Sequence, residues 1–101
     1  MKGIAMTFAI EGHVHFDPED PIYADHFPGH PIVPGSLIVW AFGQVLEKTG
    51  VDTGTIRLDQ FRFRRFISPG SYRYTIHETE KGLRCTLLDK DNTVAQGVVF
   101  R

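Results

Sequence analysis

Apolar and polar residues alternate at the start of the chain, lose that rhythm in a proline-rich stretch, take up a helical one, and alternate again to the end. Ile4, Met6, Phe8 and Ile10 alternate with Ala5, Thr7, Ala9 and Glu11, and the pattern resumes after Gly12 as His13-Val14-His15-Phe16. Period two sends neighbouring side chains to opposite faces, so this segment predicts a strand or hairpin. Asp17 to Pro34 then holds five of the six prolines. Fixed φ angles and missing N–H donors there predict an ordered loop with one short turn near Ile22 to Asp25. Ser36 is the expected N-cap of the single helix, Leu37 to Lys48 runs uninterrupted, and Gly50 suits a left-handed C-cap. Ile38, Val39, Ala41, Phe42, Val45 and Leu46 leave that helix little polar surface, which predicts burial on several sides.

Four further strands follow, at Thr55 to Ile67, Tyr72 to Glu78, Leu83 to Leu88 and Val94 to Arg101. Pro69-Gly70, Lys81-Gly82 and Asp89-Lys90-Asp91-Asn92 break them at points suited to chain reversal between antiparallel neighbours. One buried helix against about five strands predicts an α+β layer pair in which an antiparallel sheet curls around the helix. No repeat or linker divides residues 1–101, which read as one domain.

Composition adds limits. With 101 residues, 42% hydrophobic and 23% charged, the chain has ordinary soluble character. A domain of this size buries only about 60 to 65% of its chain surface, so enclosing a large apolar site calls for a second subunit. The formal charge of −1 gives no general case for binding nucleic acid or an anionic membrane. Cys85 stands alone, which excludes an internal disulfide and fits a reducing compartment. MKGIAMTFAIEGH has neither the charge pattern nor the length of a signal or spanning segment, and a cytoplasmic location is expected.

Several side chains are candidates for chemistry. His26 precedes Phe27-Pro28-Gly29, so rigid neighbours hold it, and imidazole is the side chain best suited to proton transfer near neutral pH. A loop histidine bonded to a carbonyl is an equal reading of the same spacing. The amides of Gly35 and its neighbour Ser36 open the helix, where free N–H groups and the helix dipole can stabilise a developing oxyanion; a plain helix stop is the simpler reading. His26 and His30 are four apart, but Pro28, Gly29 and Pro31 forbid the helix that would bring them to one zinc ion. His13 and His15 share a strand face without a third ligand, so no metal and no cofactor is expected. Cys85 is in phase with Leu83 and Leu87 and reads as core. In Phe61-Arg62-Phe63-Arg64-Arg65-Phe66 the aromatic and basic residues interleave. A strand with Phe61 and Phe63 towards the helix and Arg62 and Arg64 towards solvent outweighs a nucleic-acid platform at this net charge. If Arg62, Arg64 and Arg65 bind anything, an acidic protein or a phosphate fits best.

His26-Phe27-Pro28-Gly29-x-Pro31-x-x-Pro34-Gly35, followed by Leu37-Ile38-Val39, resembles the signature of the bacterial 3-hydroxyacyl-acyl-carrier-protein dehydratases, and Phe63-Arg64-Arg65-x-Ile67-x-Pro69-Gly70 resembles a second segment of that family. The likeness covers most of the chain from about Phe16 onwards. It implies the hotdog fold, an antiparallel sheet wrapped around one long central helix, with protomers paired sheet edge to sheet edge. It also implies that His26 abstracts the α-proton of a 3-hydroxyacyl thioester while the Gly35 amide polarises the thioester carbonyl. The thioester would be carried by acyl carrier protein or coenzyme A, without cofactor, in fatty acid or polyketide-type synthesis. Arg62, Arg64 and Arg65 then become candidates for carrier binding.

One position departs from the pattern. The family's helix carboxylate, fourteen residues after the histidine, is Trp40 here, whose indole can only donate a hydrogen bond. Gln44, one turn on, could hold a water or the substrate hydroxyl. Glu47 lies nearly two turns away, and Asp25 and His30 flank the signature as alternative proton donors. Trp40 itself reads as filling the core or a tunnel wall. Three functions follow: a divergent dehydratase, a thioester-binding or partner subunit joined to a related chain that supplies the carboxylate, and a hotdog acyl thioesterase. The dehydratase is preferred because His26 and both Pro-Gly elements are intact.

Overall fold

A computed structural model describes residues 9–23, 29, 31–50, 57–80 and 82–100, with 57–60 described by backbone alone. Strand β1 (Ala9–Phe16) leads through a 3-10 turn (Pro21–Tyr23) to helix α1 (Gly35–Lys48). Strands β2 (Arg57–Phe63), β3 (Gly70–Thr79), β4 (Gly82–Asp89) and β5 (Asn92–Phe100) complete the order. All five strands form one sheet in the order β1-β3-β4-β5-β2, with every neighbouring pair antiparallel. The strands on either side of the helix in sequence, β1 and β2, therefore lie at opposite edges of the sheet. The connection that carries α1 crosses from one edge to the other.

The helix covers 14 residues, about four turns, so one moderate helix stands where a long one was expected. Ser36 is not its N-cap. Pro34 takes that place with φ −64° and ψ 146°, and its carbonyl accepts from the amides of Leu37 at 3.0 Å and Ile38 at 3.3 Å. An N-cap needs extended backbone and a carbonyl pointing into the first turn, which proline supplies without any side-chain bond. At the other end Gly50 adopts φ 93°, the left-handed conformation expected of it, while the Thr49 hydroxyl donates to the Leu46 carbonyl at 2.8 Å.

Ile38, Ala41, Phe42 and Leu46 bury one side of the helix against the sheet. Among the described residues burial on several sides is not found, because the sheet covers a single face and Trp40 points away from it, 59% exposed. Trp40 is thus no part of the core. The sheet meets the helix with Ile76, Leu83, Cys85, Leu87 and Val99, all fully buried. Each such side chain taken from water contributes about 1.5 to 3 kcal/mol before chain entropy is counted, so this face holds the layers together.

A row of aromatic rings runs across the interface. Phe42 meets Tyr74 edge-on at 6.2 Å between ring centres and Phe61 at 5.8 Å, with a glycine under each outer ring. A Cβ on Gly12 would stand 2.8 Å from the Tyr74 hydroxyl, and one on Gly97 would enter the Phe61 ring. Gly12 is therefore not a break: β1 runs through it, paired with Tyr74. In β2, Asp59 pairs with Val98 and Arg62 with Gln96, so two residues oppose Gly97 alone. That bulge brings Phe61 over Gly97 and keeps Arg62 on the far side of the sheet.

Candidate active site at the start of the helix

The loop before the helix is fixed to the strand after it. The Val33 amide donates to the Ile67 carbonyl at 2.9 Å, and the Arg64 amide, one residue past β2, donates to Val94 at 2.8 Å. These bonds hold Pro34-Gly35 beside Phe63, whose ring tip lies so near Gly35 that a Cβ there would stand 2.9 Å from Cζ. A larger residue at position 35 would push the ring away. Ile32, Val33, Gly35, Phe63, Phe66 and Ile67 are among the residues lining a mainly apolar pocket of about 370 Å³, with Ser36 at its rim and Arg65 beside it.

The first helical amides to find an acceptor within the turn are those of Leu37 and Ile38. Gly35 and Ser36 come before them, so their N–H groups have no intrahelical acceptor, and no acidic side chain occupies the first turn. Aligned peptide dipoles place positive potential there. An apolar pocket ending on two such donors can hold a carbonyl oxygen and stabilise negative charge that develops on it.

The remaining sequence candidates are dispersed. His26, with Asp25 and His30, lies outside the described residues. Trp40 and Gln44 follow Ser36 at successive four-residue steps along the helix; Gln44 is half-buried, and Glu47 is exposed near the helix end. His13 and His15 are exposed on the outer sheet face, the latter with Nδ1 2.9 Å from the Ser71 hydroxyl. Cys85 is enclosed among apolar side chains, and burial pushes its thiol up to about 12, which removes it from nucleophilic chemistry near neutral pH. The arginine run divides: Arg65 lies at the helix-start pocket and pairs with Asp89 at 2.5 Å, whereas Arg62 and Arg64 line a groove on the opposite sheet face.

Sequence reasoning missed three features. Phe63 faces the helix as expected yet is 44% exposed, because it covers the helix start rather than the core, and Phe66 is 82% exposed at the pocket mouth. Only the register between β2 and the helix loop could have shown this. Tyr23 is buried with a hydroxyl that finds no partner among the described residues. Desolvation raises its pKa first, and the nearby Asp20 and Asp17 add to the effect. Among the described residues no cluster of three or more His, Cys, Asp or Glu could hold a metal ion, and no helix is long and apolar enough to cross a membrane.

Comparison with known proteins places this arrangement in a family. A chain of the dehydratase heterocomplex ApeI:P from Xenorhabdus doucetiae matches 100% of this chain and 100% of its own length with a TM-score of 0.65 at 20% identity. An uncharacterized protein from Erwinia carotovora matches 98% of this chain with a TM-score of 0.67 at 21% identity, over 86% of its own length. These likenesses establish a shared fold, an antiparallel five-stranded sheet with one helix. The 3-hydroxyacyl-acyl-carrier-protein dehydratase FabZ of Herpetosiphon aurantiacus is 39% identical over 59 residues, 50% of this chain and 42% of that protein. FabZ of Acetivibrio thermocellus is 42% identical over 62 residues, 50% and 40% respectively. The match thus spans less than half the length of these curated relatives. The ApeI-like family, described as ApeI dehydratase, matches residues 5–98. On that match over nearly its whole length, the chain belongs to the ApeI-like family of FabZ-like dehydratases.

Proposed function

We propose that the protein is a 3-hydroxyacyl thioester dehydratase of hotdog type. One observation carries this reading: Gly35 and Ser36 line an apolar pocket at a helix start that has no side-chain cap. The thioester carbonyl sits on their amides. His26 takes the proton from the carbon next to the carbonyl, and the charge that develops on the oxygen is held by the two amides. The double bond forms as the β-carbon to oxygen bond breaks, and the hydroxyl leaves as water with the proton that the His26 imidazolium gives back, directly or through a water. The product is a trans-2-enoyl thioester, which makes the enzyme a lyase. Acyl carrier protein or coenzyme A carries the substrate, in the cytoplasm and in fatty acid or polyketide-type synthesis. Pairing of protomers edge to edge encloses the site that one small chain leaves open.

The proton for the leaving hydroxyl separates this reading from a second. Trp40 occupies the position of the family carboxylate and cannot supply that proton, while Gln44 can only hold the hydroxyl or a water. Exposure of Trp40 favours a subunit role, in which a related chain covers this helix face and brings the carboxylate. A thioesterase lacks a placed carboxylate to activate water.

The test is an assay of the purified protein with a 3-hydroxyacyl thioester on carrier protein or coenzyme A, following enoyl absorbance. Turnover by the chain alone, reduced at least about a hundredfold in His26→Ala, is the expected result. Undiminished turnover in that variant removes His26 as the base. Binding without turnover until a related chain is added establishes the subunit role, and thiol release without enoyl product establishes a thioesterase. Trp40→Glu raises dehydration if the rest of the site is assembled.

A further inference from the structure

The outer face of the sheet carries a concentration of positive charge. Arg65 and Arg73 are each matched to a carboxylate, Asp89 at 2.5 Å and Glu11 at 3.6 Å. Arg62, Arg64 and Arg84 have no carboxylate partner among the described residues, and these three converge on one groove of about 280 Å³ together with Gln96 and Val98. The register explains the convergence. Arg62 pairs with Gln96 across β2 and β5, Arg84 pairs with Val98 across β4 and β5, and Arg64 follows Arg62 on the same strand face. His77, also exposed, stands opposite Arg84 on β3. The middle of the face is ordered by the Gln96 amide, which approaches the hydroxyl of the largely buried Thr86 at 3.4 Å.

Three like charges on one groove repel one another, and among the described residues no carboxylate is paired with any of them. Guanidinium forks can each donate two parallel bonds to the paired oxygens of a phosphate, and a phosphate group carries more charge than a carboxylate with which to answer three of them. We propose that the groove of Arg62, Arg64 and Arg84 binds the phosphate group of a phosphorylated small molecule. This site is on the opposite side of the sheet from the helix start, and it stands whether or not the thioester reading holds.

The experiment is titration of the full chain with pyrophosphate by calorimetry and by amide chemical shifts, at ionic strength held constant with chloride. Saturable binding, with shifts at Arg62, Arg84, Gln96 and Val98, is expected. Arg62→Gln and Arg84→Gln each weaken it about tenfold, a loss of one charge-assisted contact, while Arg84→Lys loses less because it keeps the charge. Arg65→Gln, whose guanidinium is already paired, leaves the affinity unchanged. Circular dichroism checks that each variant folds, and Arg62→Gln serves alone if Arg84→Gln does not. A second arm compares free pyrophosphate with vesicles of phosphatidic acid and of phosphatidylcholine. Preference for pyrophosphate identifies a soluble ligand, and preference for phosphatidic acid identifies a lipid headgroup as the source. No saturable binding at constant ionic strength, equal weakening by Arg65→Gln, or shifts confined to the helix start overturns the proposal. So does binding of an acidic protein by a chain that ignores phosphate.

Discussion

The two faces of the sheet solve opposite problems within the same strands. In β2 the consecutive residues Phe61 and Arg62 face opposite ways, one over Gly97 towards the helix and the other beside Gln96 towards solvent. The inner face is satisfied by shape, since its side chains fill the space against α1 and need nothing further. The outer face is satisfied only in part, because Arg62, Arg64 and Arg84 have no carboxylate partner among the described residues. Stability therefore resides on the inner face and available binding capacity on the outer. The largest test of that division is Leu46→Ala, which removes a fully buried side chain from the helix. Loss of about 2 to 5 kcal/mol in urea unfolding is expected, against less than about 0.5 kcal/mol for Arg62→Gln on the outer face.

Much of the inner face was legible in the sequence. Alternation located β3 to β5, and Cys85 in phase with Leu83 and Leu87 is core as read. The helix and its glycine C-cap also followed from local chemistry. What escaped depends on pairing between segments distant in sequence. The bulge opposite Gly97, the closure of Phe63 on Gly35, and the exchange of Arg65 for Arg84 in the outer groove are all set by register, which a one-dimensional pattern does not contain. Of the two places read for Trp40, the core or a tunnel wall, the core is excluded for a related reason: the residue pattern shows that a helix is apolar all round, but not which face its own sheet leaves open.

Gly35 tests the border between the two regions. Gly35→Ala brings a methyl 2.9 Å from the tip of Phe63, and the ring must turn to admit it. A loss of about 1 to 2 kcal/mol is expected in the parent chain. In a Phe63→Ala background the same change becomes neutral or stabilising, because alanine is the better helix former. The double-mutant cycle measures that coupling, and simple additivity would show that Phe63 does not close over the helix start.

Cys85 gives the inner face a pH signature. Burial raises its thiol from 9.0 to about 12 in the folded chain. Below pH 9 both folded and unfolded thiols are protonated, so the group has no net effect. Above it the unfolded chain releases the proton first, and stability falls as pH rises towards 12, by about 1.4 kcal/mol per unit. Urea midpoints between pH 9 and 11 should show this slope, and Cys85→Ala should remove it. A thiol reagent should react only after unfolding.

The smallest effect is expected at Arg65, and it separates charge that is paired from charge that is free. Arg65 and Asp89 meet at 2.5 Å, yet their side chains are 49% and 39% exposed, so water screens the attraction and two long side chains are ordered to make it. Arg65→Gln should cost less than about 1 kcal/mol, with a loss that shrinks further in high salt, as thermal unfolding at two ionic strengths would reveal. The contrast with Arg62 and Arg84 is then one of sign. Removing an unpaired arginine from a cluster relieves repulsion, so Arg84→Gln should hold or raise stability at low salt while Arg65→Gln lowers it. An equal loss in both would mean that the outer arginines are paired in solution, and the division between the two faces would fail at that point.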